Sequence, residues 1–97
     1  MADKAGAFGE TQEASEKIQK ICDQVKPQVE EKTGEKYEVF TALQYRSQIV
    51  SGLNFLIKVH VGGSSYLHLK VYQNLSGGIK LPGVEEEHSK DDPIIPF

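Results

Sequence analysis

Leu53-Asn54-Phe55-Leu56-Ile57-Lys58-Val59-His60-Val61, LNFLIKVHV, decides the fold class. Leu53, Phe55, Ile57, Val59 and Val61 alternate over nine residues, with Asn54, Lys58 and His60 between them. A period of two puts the first set on one face and the second on the other, so the stretch predicts a half-buried antiparallel strand with a solvated polar side. Gly62-Gly63-Ser64-Ser65 follows as a turn, and Tyr66 to Tyr72 repeats the alternation with Leu67, Leu69 and Val71 facing in. Asn74-Leu75-Ser76-Gly77-Gly78 is the next turn. On the other side, Glu38 to Gln48 is rich in Val, Phe, Thr and Tyr and predicts a strand that runs into this one.

Upstream of Tyr37 the period changes. Ala14, Ile18, Ile21, Cys22, Val25 and Val29 fall on one face of a 3.6-residue repeat. Ser15 predicts the N-cap, Glu16 suits the first turn, and Lys32-Thr33-Gly34 supplies a basic end and a stop. Pro27 removes one backbone donor and is expected to bend the helix without ending it. Residues 1–13 are small and polar and predict an arm with little structure of its own; Phe8 is its one large apolar side chain. The tail beyond residue 79 carries Glu85-Glu86-Glu87, read as a solvated charge run. It ends in Pro93-Ile94-Ile95-Pro96-Phe97, which is apolar enough to dock as an edge strand. The fold class is therefore α+β in a single domain over 1–97: an arm at 1–13, a helix at 14–34, and an antiparallel meander with its tail at 37–97.

The totals bound the function. Ninety-seven residues support one modest core. A net charge of −3 and a pI of about 5.6 argue against nucleic acid and against an electrostatic membrane anchor. One cysteine, Cys22, allows no internal disulfide. MADKAGAFGE holds no apolar signal segment, and no run reaches the length of a membrane span, so a cytoplasmic, reduced protein is expected.

Successive turns of a meander alternate between the two ends of the sheet. The turns at 48–52 and 74–78 must then share an end, and both carry apolar tips: Ile49 and Val50 in one, Leu75 in the other. Loop tips are ordinarily polar. Strand alternation sets Ile49 and Val50 on opposite faces, so a regular strand cannot turn both inward. Together these tips predict an exposed apolar edge, a feature that marks contact sites.

Gln48-Ile49-Val50-Ser51-Gly52 resembles the Q-x-V-x-G signature of the cystatins, inhibitors of papain-like cysteine proteases. Cys22 through Lys32 resembles the helix of the stefins (type 1 cystatins), and Asn54–Gly62 and His68–Tyr72 resemble stefin strands. The resemblance covers roughly residues 14–75 and, more weakly, Asp91 to Phe97. It implies one long helix on a curved four- to five-stranded antiparallel sheet. It also implies reversible, competitive inhibition of cathepsin-type endopeptidases by a wedge made of the arm and two hairpins. The residues implied in protease contact are Ala5 and Gly6 in the arm, Gln48, Ile49, Val50, Ser51 and Gly52 in the first hairpin, and Leu75 and Ser76 in the second. Register from the helix favours Gly6 as the arm glycine; sliding by three gives Gly9, preceded by Phe8. Two departures from the family pattern stand out: Ser51 where alanine is usual, and Ser76 where the second hairpin usually has proline. Ser76 and the small Ala5 keep open an alternative, a binding or regulatory module on the same scaffold without inhibition.

No nucleophile, acid and base can be assembled into an enzyme site, and no cofactor motif is present. Cys22 lies on the apolar helix face and reads as a buried, inert thiol. His60, His68 and His88 lack a ligand pattern; His60 and His68 are expected to be solvated, with no resident metal. The apolar hinge between two long strands invites a domain-swapped dimer, with the monomer as the active form.

Overall fold

The computed structural model describes residues 8–97. Ala5 and Gly6 lie outside the described residues. The elements run β1 (Gln12–Glu13), α1 (Glu16–Thr33), β2 (Thr41–Val50), β3 (Gly52–His60), β4 (Tyr66–Gln73) and β5 (Ile79–His88). The strands form one antiparallel sheet in the order β1-β2-β3-β4-β5, with α1 packed against it.

The helix begins where the sequence supplies a cap. Ser15 is extended, and its hydroxyl accepts from the Ile18 N–H at 3.4 Å. It ends at Gly34, whose left-handed φ of 77° lets its N–H reach the Glu30 carbonyl at 2.8 Å. Ile18, Ile21, Cys22, Val25 and Val29 form its buried stripe against Phe55, Ile57, Val59, Leu67, Leu69 and Val71. Pro27 sits within the continuous helix. Cys22 is fully enclosed, and burial, followed by the Asp23 carboxylate, pushes its thiol up to about 12, which keeps it protonated and unreactive.

β2 begins at Thr41, three residues later than the pattern of Glu38 onward predicts. Tyr37 and Phe40 are buried against the core, and Gln19 of the helix occupies the backbone there: its amide donates to Phe40 O at 3.0 Å and accepts from Ala42 N–H at 2.8 Å. A side chain thus satisfies the entry to β2 that a ladder partner would otherwise satisfy. Within the arm, Gln12 and Glu13 pair with Tyr45 and Gln44, so its end carries strand structure that its composition did not signal.

The larger correction concerns the second face of the sheet. Arg46, Leu56, Lys70 and Gly83 stand opposite one another across β2 to β5, and Lys58 and His68 form a neighbouring pair on the same face. This face is covered. Lys58 is 2% exposed, and Leu56 and His68 are fully buried. The cover is the tail, which is not an edge strand but lies across the strands. Lys58 Nζ donates to Lys90 O and Asp92 O at 2.5 and 2.6 Å, Arg46 Nη1 to Ile94 O at 2.7 Å, and Lys70 Nζ to Phe97 O at 2.7 Å. Phe97 abuts Gly83, where a Cβ would come within 3.1 Å of its ring. Ile94 is buried, and neither it nor Leu56 belongs to the main core cluster.

His68 is accordingly not solvated. Its ring stacks on His88, with centroids 3.6 Å apart, rather than meeting His60, which bonds to Gly63 O and packs on Tyr66.

Candidate functional site

The end of the sheet where β2 turns into β3 and β4 into β5 gathers the apolar tips. Ile49 is 76% exposed, Val50 40% and Leu75 85%. Ile49, Val50, Gly52 and Leu53 line a shallow groove whose other wall is Gln73, Asn74, Leu75 and Gly77. The two hairpins are thus neighbours, and neither tip carries a charged side chain.

Gly52 locks them together. Its φ of 115° is open to glycine alone at low cost, and an added Cβ would lie 2.4 Å from Gln73 O and 3.1 Å from Asn74 Cα. The Tyr72 hydroxyl donates to Ser51 O and ties the first tip to β4. At the base, Asn54 Nδ2 donates to Gln48 Oε1 at 2.7 Å across the paired positions of β2 and β3. Gln48 and Ser51 therefore support the tip from within, while Ile49 and Val50 project from it.

The second tip is organised by Asn74. Its Oδ1 accepts from the N–H groups of Ser76 and Gly78, each at 2.9 Å, and its backbone closes the turn with Gly77 and Gly78. Ser76 thus contributes a donor that a proline could not, and the Asx turn supplies the rigidity that a proline would. Asn74→Ala is expected to loosen this turn and to speed amide exchange at Ser76 and Gly78 by about tenfold, or ~1.4 kcal/mol. It should leave thermal stability nearly unchanged, since the turn is exposed. Hydrogen exchange beside a melting curve checks this; equal exchange in both chains would show that the turn holds its shape without Asn74.

The arm reaches the same end. From Glu13 opposite Gln44 and Gln12 opposite Tyr45, the chain climbs β2 until Gly9 N–H donates to Ser47 O at 2.8 Å. Arg46 fastens this stem: Nε donates to Gly9 O at 2.8 Å, Nη2 to Phe8 O at 3.4 Å, and its guanidinium lies 6.0 Å from the Phe8 ring centre. Phe8, the first described residue, is therefore held on the part of β2 that leads to the first tip. Sequence reasoning missed Arg46 and Tyr72, because alternation does not say what a strand side chain will hold. Asn74 was legible, since Asn ahead of a Gly pair is a turn signal.

A match to the family model described as the Cystatin domain covers residues 6–90. The chain belongs to the cystatin family. Among similar proteins, Cystatin-B of Oplegnathus fasciatus is 49% identical over 100 residues, covering 100% of both chains. Leukocyte cysteine proteinase inhibitor 1 of Sus scrofa is 47% identical over 96 residues, covering 96% of this chain and 93% of its own. Cystatin-A of Homo sapiens is 43% identical over 95 residues, covering 95% and 97%. These full-length likenesses make this a cystatin of the stefin type, a family of inhibitors rather than enzymes. The helix on a five-stranded antiparallel sheet agrees with that fold. Among the described residues, no helix of this cystatin is long and apolar enough to cross a membrane.

Proposed function

We propose that this cystatin is a reversible, competitive inhibitor of papain-like cysteine endopeptidases of the cathepsin type, acting in the cytoplasm as a monomer. The observation that carries the reading is the convergence of the arm stem and two uncharged, apolar hairpin tips on one end of the sheet. Ile49, Val50 and Leu75 are side chains whose burial is left for a partner. Each contributes roughly 1.5–3 kcal/mol when fully enclosed. They stand on turns already ordered by Gly52, Tyr72 and Asn74, so little conformational entropy is lost on docking. The tips enter a cleft side by side as wedge faces and present no extended segment for cleavage. Gly9 is engaged with Ser47 and Phe8 with Arg46, which supports Gly6, preceded by Ala5, as the arm contact.

A domain-swapped dimer would straighten residues 48–52 into continuous strand. The Gly52 turn and the exposed tip would both disappear, so the dimer is expected to be inactive.

Steady-state kinetics with a peptide substrate of papain test the reading. Pure competition is expected, with the inhibitor recovered uncut. Removing residues 1–7 is expected to weaken inhibition at least tenfold. Non-competitive kinetics or cleavage of the chain would contradict the mechanism. Unchanged inhibition by the trimmed chain would remove Ala5 and Gly6 from the contact.

A further inference from the structure

At the opposite end of β5 from the hairpin tips, three side chains with metal-ligating atoms face one another. One ligand atom from each of His68, Glu85 and His88 lies within 4.8 Å of the other two. A backbone irregularity assembles them. His68 pairs with Glu85 and Tyr66 with His88, so three residue steps on β5 span two on β4. The extra residue is accommodated around Glu87, which takes a φ of 63°. Without that bulge, strand alternation would send His88 to the other face from Glu85. With it, His88 lands on the His68 side.

A second observation points to a ligand at this site. His68 is fully buried, and neither ring nitrogen has a hydrogen-bond partner. Buried polar atoms are rarely left so, because losing water without a replacement is costly. His88 shows the complementary arrangement. Its Nε2 lies 3.0 Å from Glu85 Oε1, and its Nδ1 lies 2.9 Å from Asp92 Oδ2. A carboxylate on the far nitrogen of a histidine is the usual means of orienting a metal-bound imidazole.

We propose that His68, His88 and Glu85 form a binding site for one zinc ion, with Asp92 positioning His88 and water as the fourth ligand. Two imidazoles and a carboxylate are a donor set that zinc accepts. Tetrahedral ligands on zinc stand about 3.3 Å apart. The His88–Glu85 spacing is already close to that, and His68 completes the set by tilting out of its parallel stack so that its lone pair converges on the ion. Lys58 is the opposing charge on this face. Its ammonium is turned into the Lys90 and Asp92 carbonyls, and the carboxylates of Glu85 and Asp92 outnumber it. Bound zinc would join β4 and β5 at the start of the tail and leave the hairpin tips untouched.

The test is calorimetric titration of zinc chloride into the chelator-stripped monomer at neutral pH, with melting temperature as a second readout. One saturable site and a raised melting temperature are expected. Glu85→Gln and His88→Ala should each abolish the site, and Asp92→Asn should weaken it about tenfold. His60→Ala should leave it intact. Circular dichroism establishes that each variant is folded, and Glu85→Gln, at a half-exposed position, keeps the test independent of core damage. Cobalt in place of zinc should give the visible absorption of a tetrahedral site. No saturable binding by the folded parent, or binding that survives His88→Ala, would overturn the proposal.

Discussion

Gly52→Ala is expected to cost this cystatin at least a hundredfold in protease affinity while leaving helix and sheet in place. The residue sits at φ 115°, and the new methyl would meet the Gln73 carbonyl oxygen at 2.4 Å. Backbone cannot yield as the end of a flexible side chain can. The first hairpin must swing away from β4, which removes the Tyr72–Ser51 bond and opens the groove between the tips. The left-handed strain alone is about 1–2 kcal/mol. Moving Ile49 and Val50 off a cleft that also receives Leu75 forfeits burial of roughly 1.5–3 kcal/mol for each misplaced side chain. Together these exceed the ~2.7 kcal/mol that a hundredfold represents. Inhibition kinetics on the folded variant check the figure. A loss under threefold would mean that the two tips do not act as one surface.

Truncation after Ser89 is the second large effect, on stability rather than on binding. It removes the strap across the outer face of the sheet. Four hydrogen bonds from Arg46, Lys58 and Lys70 go with it, but water replaces them once the face is open, so their net loss is small. The apolar change has no such replacement. Leu56 loses its cover, and the burial of Ile94 is lost with the tail, each roughly 1.5–3 kcal/mol. A loss of about 3–6 kcal/mol lowers the melting temperature of a chain this size by roughly 15 °C or more. Thermal denaturation of the truncated chain is the check. If Lys58 rather than Leu56 were decisive, Lys58→Met would restore the truncated chain; on this accounting it does not. A melting temperature within a few degrees of the parent would show that the strap is decoration.

These two cases also show what the sequence could and could not disclose. Alternation in Leu53–Val61 and the helical stripe from Ile18 to Val29 are local patterns, and each identified its buried face. Neither pattern says what covers the other face. Lys58 and His68 look like solvated polar positions because their cover comes from residues twenty or more positions away. The bulge at Glu87 was equally hidden, since one added residue reverses the facing of everything beyond it. The hairpin tips were legible for the opposite reason. Ile49, Val50 and Leu75 contradict the rule that turns are polar, and meander topology alone placed them together. Arg46 and Tyr72, which hold the arm and the first tip in place, carry no local signal of that duty.

The central claim is that Ile49, Val50 and Leu75 form one surface that fills a protease cleft. Active-site titration of papain with the isolated monomer, beside the Ile49→Asp, Leu75→Asp double variant, tests it most directly. Both positions are exposed, so the variant should fold as the parent does. One-to-one inhibition by the parent, lost in the variant, is the predicted result. A folded monomer that leaves papain fully active, or a variant that titrates it as well as the parent, would contradict the account.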